Sequence, residues 1–498
     1  HCHSRRHPSR TRVMGKRSGK RPRFNRLALV ARRTMLFALL TSHSLADDSA
    51  IPAVRSVAIW GSSVASGVGD ETQSSGYLRG LREVLDGRGW QVLDRSRPGD
   101  NSITIQPRFM PSDSKDPAVT YLIDPKPDMV VIALSLGNEG VAQCQMGQSA
   151  RCTRSQEAAE QVVAGYLSNL RMLVAKARSA GIIPVVTLPY ARLDFSEREY
   201  ALTRRTNLIM NDWDVPTVNL LGALDDGQGR WPRGFWADPF HPNAAGYREL
   251  AYAFVPSLFD ALASDKPSPR KSPLMGYVHI PQHERALLRF ENTDAMHSFS
   301  VSFQFRANTT GVLASFDGRQ LSASFQPYRR SYGDFSWDTE AVQLQPLAGD
   351  IARYVVFDGR EIRYQGESGG HALSTTLSDG SQWHDVTVSH SSARGVTQFY
   401  VDGEIIGTLY ELLAPTAFSL GGAITGSRPI LGAAADFREW MIHRAALNGD
   451  EVSALHRGVL LPASLELYAP LGHSIENTAQ SQSVLSMETD EIRFIADQ

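Results

Sequence analysis

The hydrophobic period of this chain changes once, and that change constrains its fold more than any other feature. Before residue 264, short apolar runs alternate with segments whose apolar residues recur every three or four positions. After residue 275 the apolar residues recur every second position. Between them, Ser264 to Pro273 holds three prolines and no apolar periodicity, the mark of an interdomain linker. The expected partition is a basic leader over 1–46, a first domain over 47–263, a linker over 264–275 and a second domain over 276–498. With 42% hydrophobic residues there is enough apolar material for a core in each.

In the first domain Val57–Trp60, Val92-Leu93, Met129–Leu134, Ile182–Leu188 and Val218–Leu221 read as strands. The third and fourth are almost continuously apolar, as strands covered on both faces must be. Ala159, Val163, Tyr166, Leu170, Leu173 and Ala177 mark a helix, with Gly181 placed as its C-terminal glycine. Further helices are expected over 200–213 and 243–263. Strands alternating with helices predict an α/β fold with a parallel sheet. In the second domain Phe299, Val301, Phe303 and Phe305 alternate with polar residues, and Asp317-Gly318, Asp358-Gly359 and Asp402-Gly403 read as hairpin turns. An all-β antiparallel sandwich follows, with one short helix near 450–456.

Charge and cysteine usage narrow the function. Residues 1–46 carry twelve Lys or Arg and no Asp or Glu, and removing them leaves 39 basic against 52 acidic residues. Such an acidic body argues against nucleic acid as a partner. Met14 or Met35 is a possible start; from Met14, a basic stretch, the apolar run Met35–Leu40 and Ser44-Leu45-Ala46 match a secretory signal peptide. The apolar run is too short for an integral membrane span. A secreted or periplasmic location is expected, the alternative being a basic tail without that role. Cys144 and Cys152 are the two cysteines after the leader, either a disulfide or two buried thiols, and export favours the bridge. No zinc-type Cys/His spacing occurs.

Between Asp47 and Ser264 the only histidine is His241, so any histidine-dependent chemistry of the first domain rests on it. Asp238, three residues earlier in a proline-bounded turn, is placed to fix its tautomer. Gly61-Ser62-Ser63-Val64 follows the first strand, a strand-to-helix turn able to lift a serine to the sheet edge. Pro98-Gly99-Asp100-Asn101 follows the second strand and Leu136-Gly137-Asn138-Glu139 the third. Trp231, Phe235, Trp236 and Phe240 crowd the approach to His241, as a substrate platform or, more simply, as packing of the loop itself.

These four ordered blocks resemble the SGNH, or GDSL-type, hydrolases over about residues 54–263. The resemblance implies a flavodoxin-like parallel sheet with helices on both faces, and a serine esterase needing no metal or organic cofactor. Carried onto this chain, Ser63 is the nucleophile, Asp238 and His241 complete the catalytic set, and Ser63, Gly99 and Asn138 supply the oxyanion hole. Two departures stand out: Ser62 replaces the aspartate of the Gly-Asp-Ser signature, and Leu136 stands where a glycine is usual two residues before the asparagine. The second domain, through Trp383–Val388, Phe399–Gly403 and Asp436–Trp440, resembles laminin-G or concanavalin-A-like sandwiches, which often bind glycans. The expected function is a secreted carboxylic-ester hydrolase acting on a small-molecule or polysaccharide ester. The alternative is a glycan-binding or adhesion protein with an inactive hydrolase-like domain.

Overall fold

The five apolar runs of the first half pair as one parallel sheet. Its strands are β1 (Arg55–Gly61), β2 (Trp90–Asp94), β3 (Met129–Ala133), β4 (Ile183–Thr187) and β5 (Thr217–Val218), in the spatial order β2-β1-β3-β4-β5. That is the flavodoxin-like winding, whose strand order reverses between β1 and β3 and leaves a crevice at their carboxyl ends. Alternate side chains serve two cores: Val57, Ile59 and Val131 face one helical layer, and Ala58, Trp60 and Ile132 face the other. The computed structural model describes residues 55–498 except 111–115, 117–118, 145–151, 272, 274–275, 333–334, 367–369, 371, 426–427, 490 and 497–498. The expected leader and signal peptide lie outside the described residues.

The helices are α1 (Tyr77–Asp86), α2 (Leu136–Glu139), α3 (Gln156–Ser179), α4 (Glu197–Asn211), α5 (Leu220–Ala223), α6 (Ala244–Tyr252) and α7 (Leu258–Ala263). In α3 the predicted stripe from Ala159 to Ala177 is the buried face, Ser155 caps the first turn, and Gly181 takes a positive φ of 67° just past the end. Leu220 and Leu221 belong to α5 rather than to the last strand. The single helix expected over 243–263 is two, because Pro256 has no N–H to continue the α6 ladder.

From Tyr277 onward the chain is an antiparallel sandwich of an eight-stranded and a seven-stranded sheet, counted among the described residues. Phe299, Val301, Phe303 and Phe305 fill its core as their alternation predicts, each such burial stabilising by roughly 1.5–3 kcal/mol. Asp358-Gly359 and Asp402-Gly403 do turn between strands, whereas Asp317-Gly318 does not. It lies inside a long hairpin, Gly311–Tyr332 paired with Phe335–Phe357, opposite Ala352 and Ile351. There the neighbouring strand shifts register, and a Cβ on Gly318 would meet the Ala414 carbonyl oxygen at 2.4 Å, so the glycine serves a bulge rather than a turn. The short helix near 450 is α8 (Gly449–His456).

The two halves are packed together, with Val54–Gln498 forming one unit. At the β5 edge of the parallel sheet the Ser464 N–H donates to the Thr217 carbonyl (3.0 Å), and the Asn219 N–H to Ser464 Oγ (2.8 Å). The Asn219 amide donates to Glu451 of α8 (2.8 Å). Val342 and Leu344 of the long hairpin join the core beneath α6. No helix among the described residues is long and apolar enough to cross a membrane.

Candidate active site

Asp238 and His241 stand opposite each other for a simple backbone reason. Residues Trp236–Asp238 (β6) and His241–Pro242 (β7) pair as a hairpin with Pro239-Phe240 as its two-residue turn, so positions i and i+3 become register partners. The His241 Nδ1 lies 2.8 Å from Asp238 Oδ1 and 3.0 Å from Oδ2, while the Phe240 N–H also donates to Oδ1 (2.9 Å). Asp238 is 3% exposed and His241 half-buried. A buried carboxylate on Nδ1 fixes the proton there and leaves Nε2 as the basic nitrogen.

Ser63 lies in the turn after β1, half-buried, with its carbonyl accepting from the Val68 N–H and the Ser66 hydroxyl, both at 3.0 Å. The expected strand-to-helix turn is longer than predicted, since the next helix begins only at Tyr77. The turn is docked directly on the histidine hairpin. A Cβ on Gly69 would lie 2.9 Å from His241 Cβ and 2.5 Å from the Pro242 carbonyl oxygen, so only glycine allows the approach. Tyr247 of α6 donates to the Val68 carbonyl (2.5 Å), and Glu71 accepts from the Ala244 N–H at the start of α6 (2.8 Å).

Gly99 and Asn138 come together through the backbone between them. The Asn138 side-chain amide donates to the Asp100 carbonyl (2.9 Å), which uses one of its two N–H bonds and leaves the other. Glu139 accepts from the Ser102 N–H (2.7 Å) and hydroxyl (2.9 Å), and the buried Asp100 carboxylate is held by Arg108 (2.5 Å) and Arg97 (2.6 Å). Glu139 lies in the single turn of α2, as a carboxylate near a helix start does. Cys144 and Cys152 are bonded, with an S–S distance of 2.09 Å.

Sequence reasoning missed Arg192. It follows β4, is 9% exposed and donates from Nε and Nη2 to Asp194 (2.8 and 2.7 Å). Its guanidinium lies 4.7 Å over the Phe240 ring and against the Cα of Gly137, bridging the asparagine and histidine blocks. The glycine directly before Asn138 is the only signal of this in the sequence. Tyr190 sits below, stacked on Trp231 at 5.5 Å with Ser62 and Ser135 near its hydroxyl, and burial pushes its phenol up. Of the four crowded aromatics, Trp231 and Phe235 are core residues, Trp236 is half-buried, and Phe240 is 40% exposed beside His241.

Among the described residues no group of three or more His, Cys, Asp or Glu side chains is placed to hold a metal ion. No curated protein matches the chain. Among solved structures, an acetylxylan esterase from Geobacillus stearothermophilus is 17% identical, covering 40% of this chain and 92% of that one at a TM-score of 0.29. A psychrotrophic esterase from a Pseudoalteromonas species is 18% identical over 42% and 97% of the two chains, at 0.29. A heptameric SAP-like pentraxin from Limulus polyphemus is 14% identical over 45% and 96%, also at 0.29. Residues 59–249 match the model of the GDSL-like Lipase/Acylhydrolase family, so the α/β half of this chain carries a domain similar to GDSL/SGNH hydrolases.

Proposed function

We propose that the protein is an exported serine esterase that hydrolyses carboxylic esters through an acyl-serine intermediate. The observation that carries this reading is the Asp238–His241 pair, bonded at 2.8 Å, with the Ser63 turn packed against it. Ser63 Oγ attacks the ester carbonyl carbon as His241 Nε2 takes its proton. The oxyanion is held by the N–H groups of Ser63 and Gly99 and by the free N–H of the Asn138 amide. Collapse of the intermediate breaks the bond to the alcohol oxygen, which leaves with the proton from His241. Water then attacks the acyl-Ser63 carbonyl, gives its proton to His241, and frees the acid as Ser63 recovers its own. The family match over 59–249 supports an ester substrate. Export rests on the leader sequence, and a laminin-G-like, glycan-binding role for the sandwich rests on its sequence motifs.

The test is hydrolysis of p-nitrophenyl acetate by the purified chain beside a folded Ser63→Ala variant. Turnover that vanishes in the variant is expected. Equal rates in the two proteins overturn the assignment of Ser63.

A further inference from the structure

The long hairpin of the sandwich reaches across to the histidine hairpin. The Val342 N–H donates to the Gly234 carbonyl (2.9 Å), Thr339 Oγ1 to the Trp236 carbonyl (3.1 Å), and the Asn243 amide to the Glu340 carbonyl (3.4 Å). Arg233 pairs with Glu340 (2.5 Å) and lays its guanidinium 4.7 Å over Phe325. Thr339 is the register partner of Tyr328, and Trp337 that of Arg330. Directly opposite residues, and those two positions along, share a face. Tyr328, Arg330, Phe335, Trp337 and Thr339 therefore line the face that touches Trp236. Phe335 and Trp337 stack at 6.2 Å with an interplanar angle of 19°, and Phe335 is 68% exposed. Burial, and to a lesser degree the carboxylates of Glu71 and Asp238, raise the Tyr328 phenol above its ordinary value.

We infer that this face of the hairpin is the alcohol side of the active site, and that the alcohol it receives is a sugar unit within an acylated polysaccharide. The inference rests on the esterase reading above. The chemistry of the face selects the occupant. Residues 326–341 hold no Val, Ile, Leu or Met, so an acyl or lipid chain finds no aliphatic wall there. They offer flat rings for the apolar faces of pyranoses, and a guanidinium and a phenol for hydroxyl groups. Thr339 sits level with the catalytic hairpin, and Phe335 lies four residues on, about 13 Å along a strand. That is farther than one hexose ring spans, which favours a polymer over a monosaccharide ester.

The experiment compares the full chain with a Phe335→Ala/Trp337→Ala variant on p-nitrophenyl acetate, partially acetylated xylan and a tributyrin emulsion. The expected result is a loss of kcat/KM on the xylan at least about tenfold greater than on p-nitrophenyl acetate. An equal loss on all three marks the hairpin as structural and overturns the inference, as does no loss, or a loss largest on tributyrin. Binding of the acetylated xylan to Ser63→Ala, with and without the two hairpin changes, separates this inference from the esterase reading. If the unaltered chain hydrolyses nothing, the esterase reading fails. Xylan binding abolished by the two changes then still upholds the hairpin surface, and binding that survives them overturns it.

Discussion

Replacing Gly137 by alanine tests how the segment that carries Asn138 is built. An added Cβ would lie 2.1 Å from Arg192 Nη1, 2.5 Å from its Cδ and 2.8 Å from its Cζ, so the guanidinium must leave. In a free helix the change to alanine stabilises by about 1 kcal/mol. Against that stands the loss of the Arg192–Asp194 pair, whose side chains are 11% and 19% exposed, at about 2–4 kcal/mol with Asp194 left behind. Losing the stack on Phe240 adds roughly 0.5–1 kcal/mol. The net expectation is a destabilisation of about 1.5–4 kcal/mol, measured by denaturant unfolding. In an Arg192→Ala background the clash is gone, and the same glycine change should become neutral or stabilising. Equal effects of Gly137→Ala in the two backgrounds would falsify the reasoning. Because Asn138 is the next residue, kcat on p-nitrophenyl acetate should fall with the single change as well.

Three other perturbations probe separate parts of the molecule. Asp238→Asn keeps the shape of the hairpin but no longer fixes the proton on Nδ1, and kcat should drop roughly 10³–10⁴-fold; near-normal turnover of p-nitrophenyl acetate would remove Asp238 from the catalytic set. Replacing both Cys144 and Cys152 by serine should lower stability by about 2.5 kcal/mol in the chain-entropy model, read as a lower unfolding midpoint, and an unchanged midpoint refutes it. Glu451, buried between the halves, has its carboxyl pushed up to about 7, chiefly by burial. Its native state holds a proton that the unfolded chain releases near 4.5, so its contribution is full below pH 4.5 and is lost as pH rises through 7. Stability of the wild type relative to Glu451→Gln should therefore fall by up to about 3 kcal/mol across that window, and a pH-independent difference rules the account out.

The features legible in the sequence are those fixed by neighbouring residues. Continuous apolar runs gave β3 and β4 because a strand covered on both faces leaves no room for polar alternation. The three-residue step from Asp238 to His241 was legible because a two-residue turn places those positions opposite each other. Asp317-Gly318 misled because an Asp-Gly pair suits a hairpin turn and a bulge alike, and only the strand at Ala414 and Pro415 decides between them. Near the tip of the long hairpin Phe335, Trp337 and Thr339 alternate with Ser336, Asp338 and Glu340, a strand signal carried by aromatic and β-branched residues rather than by aliphatic ones, and the pairing register follows it. Arg192 escaped notice because nothing near residue 192 announces that its partner surface is Gly137.

The Pro-rich segment reads as a tether, yet the contacts around it make the two halves mutually dependent. Lys266 within it donates to the Asn477 and Ser481 carbonyls (2.9 and 2.7 Å), and Lys271 pairs with Glu439 (3.0 Å), so the segment is fastened along the sandwich. A two-residue edge strand such as β5 exposes unpaired backbone groups, and the sandwich covers this one through Ser464. At the opposite side of α6, Asn243 caps the helix, accepts from the Gly246 N–H (3.0 Å) and donates to the Gly234 carbonyl (2.9 Å) as well as to the hairpin at Glu340. The segment that delivers Asp238 and His241 is thus held between α6 and a hairpin from the other half of the chain. A histidine loop supported in this way is rigid only while both halves are folded, so the placement of His241 belongs to the whole chain rather than to the α/β half that carries it.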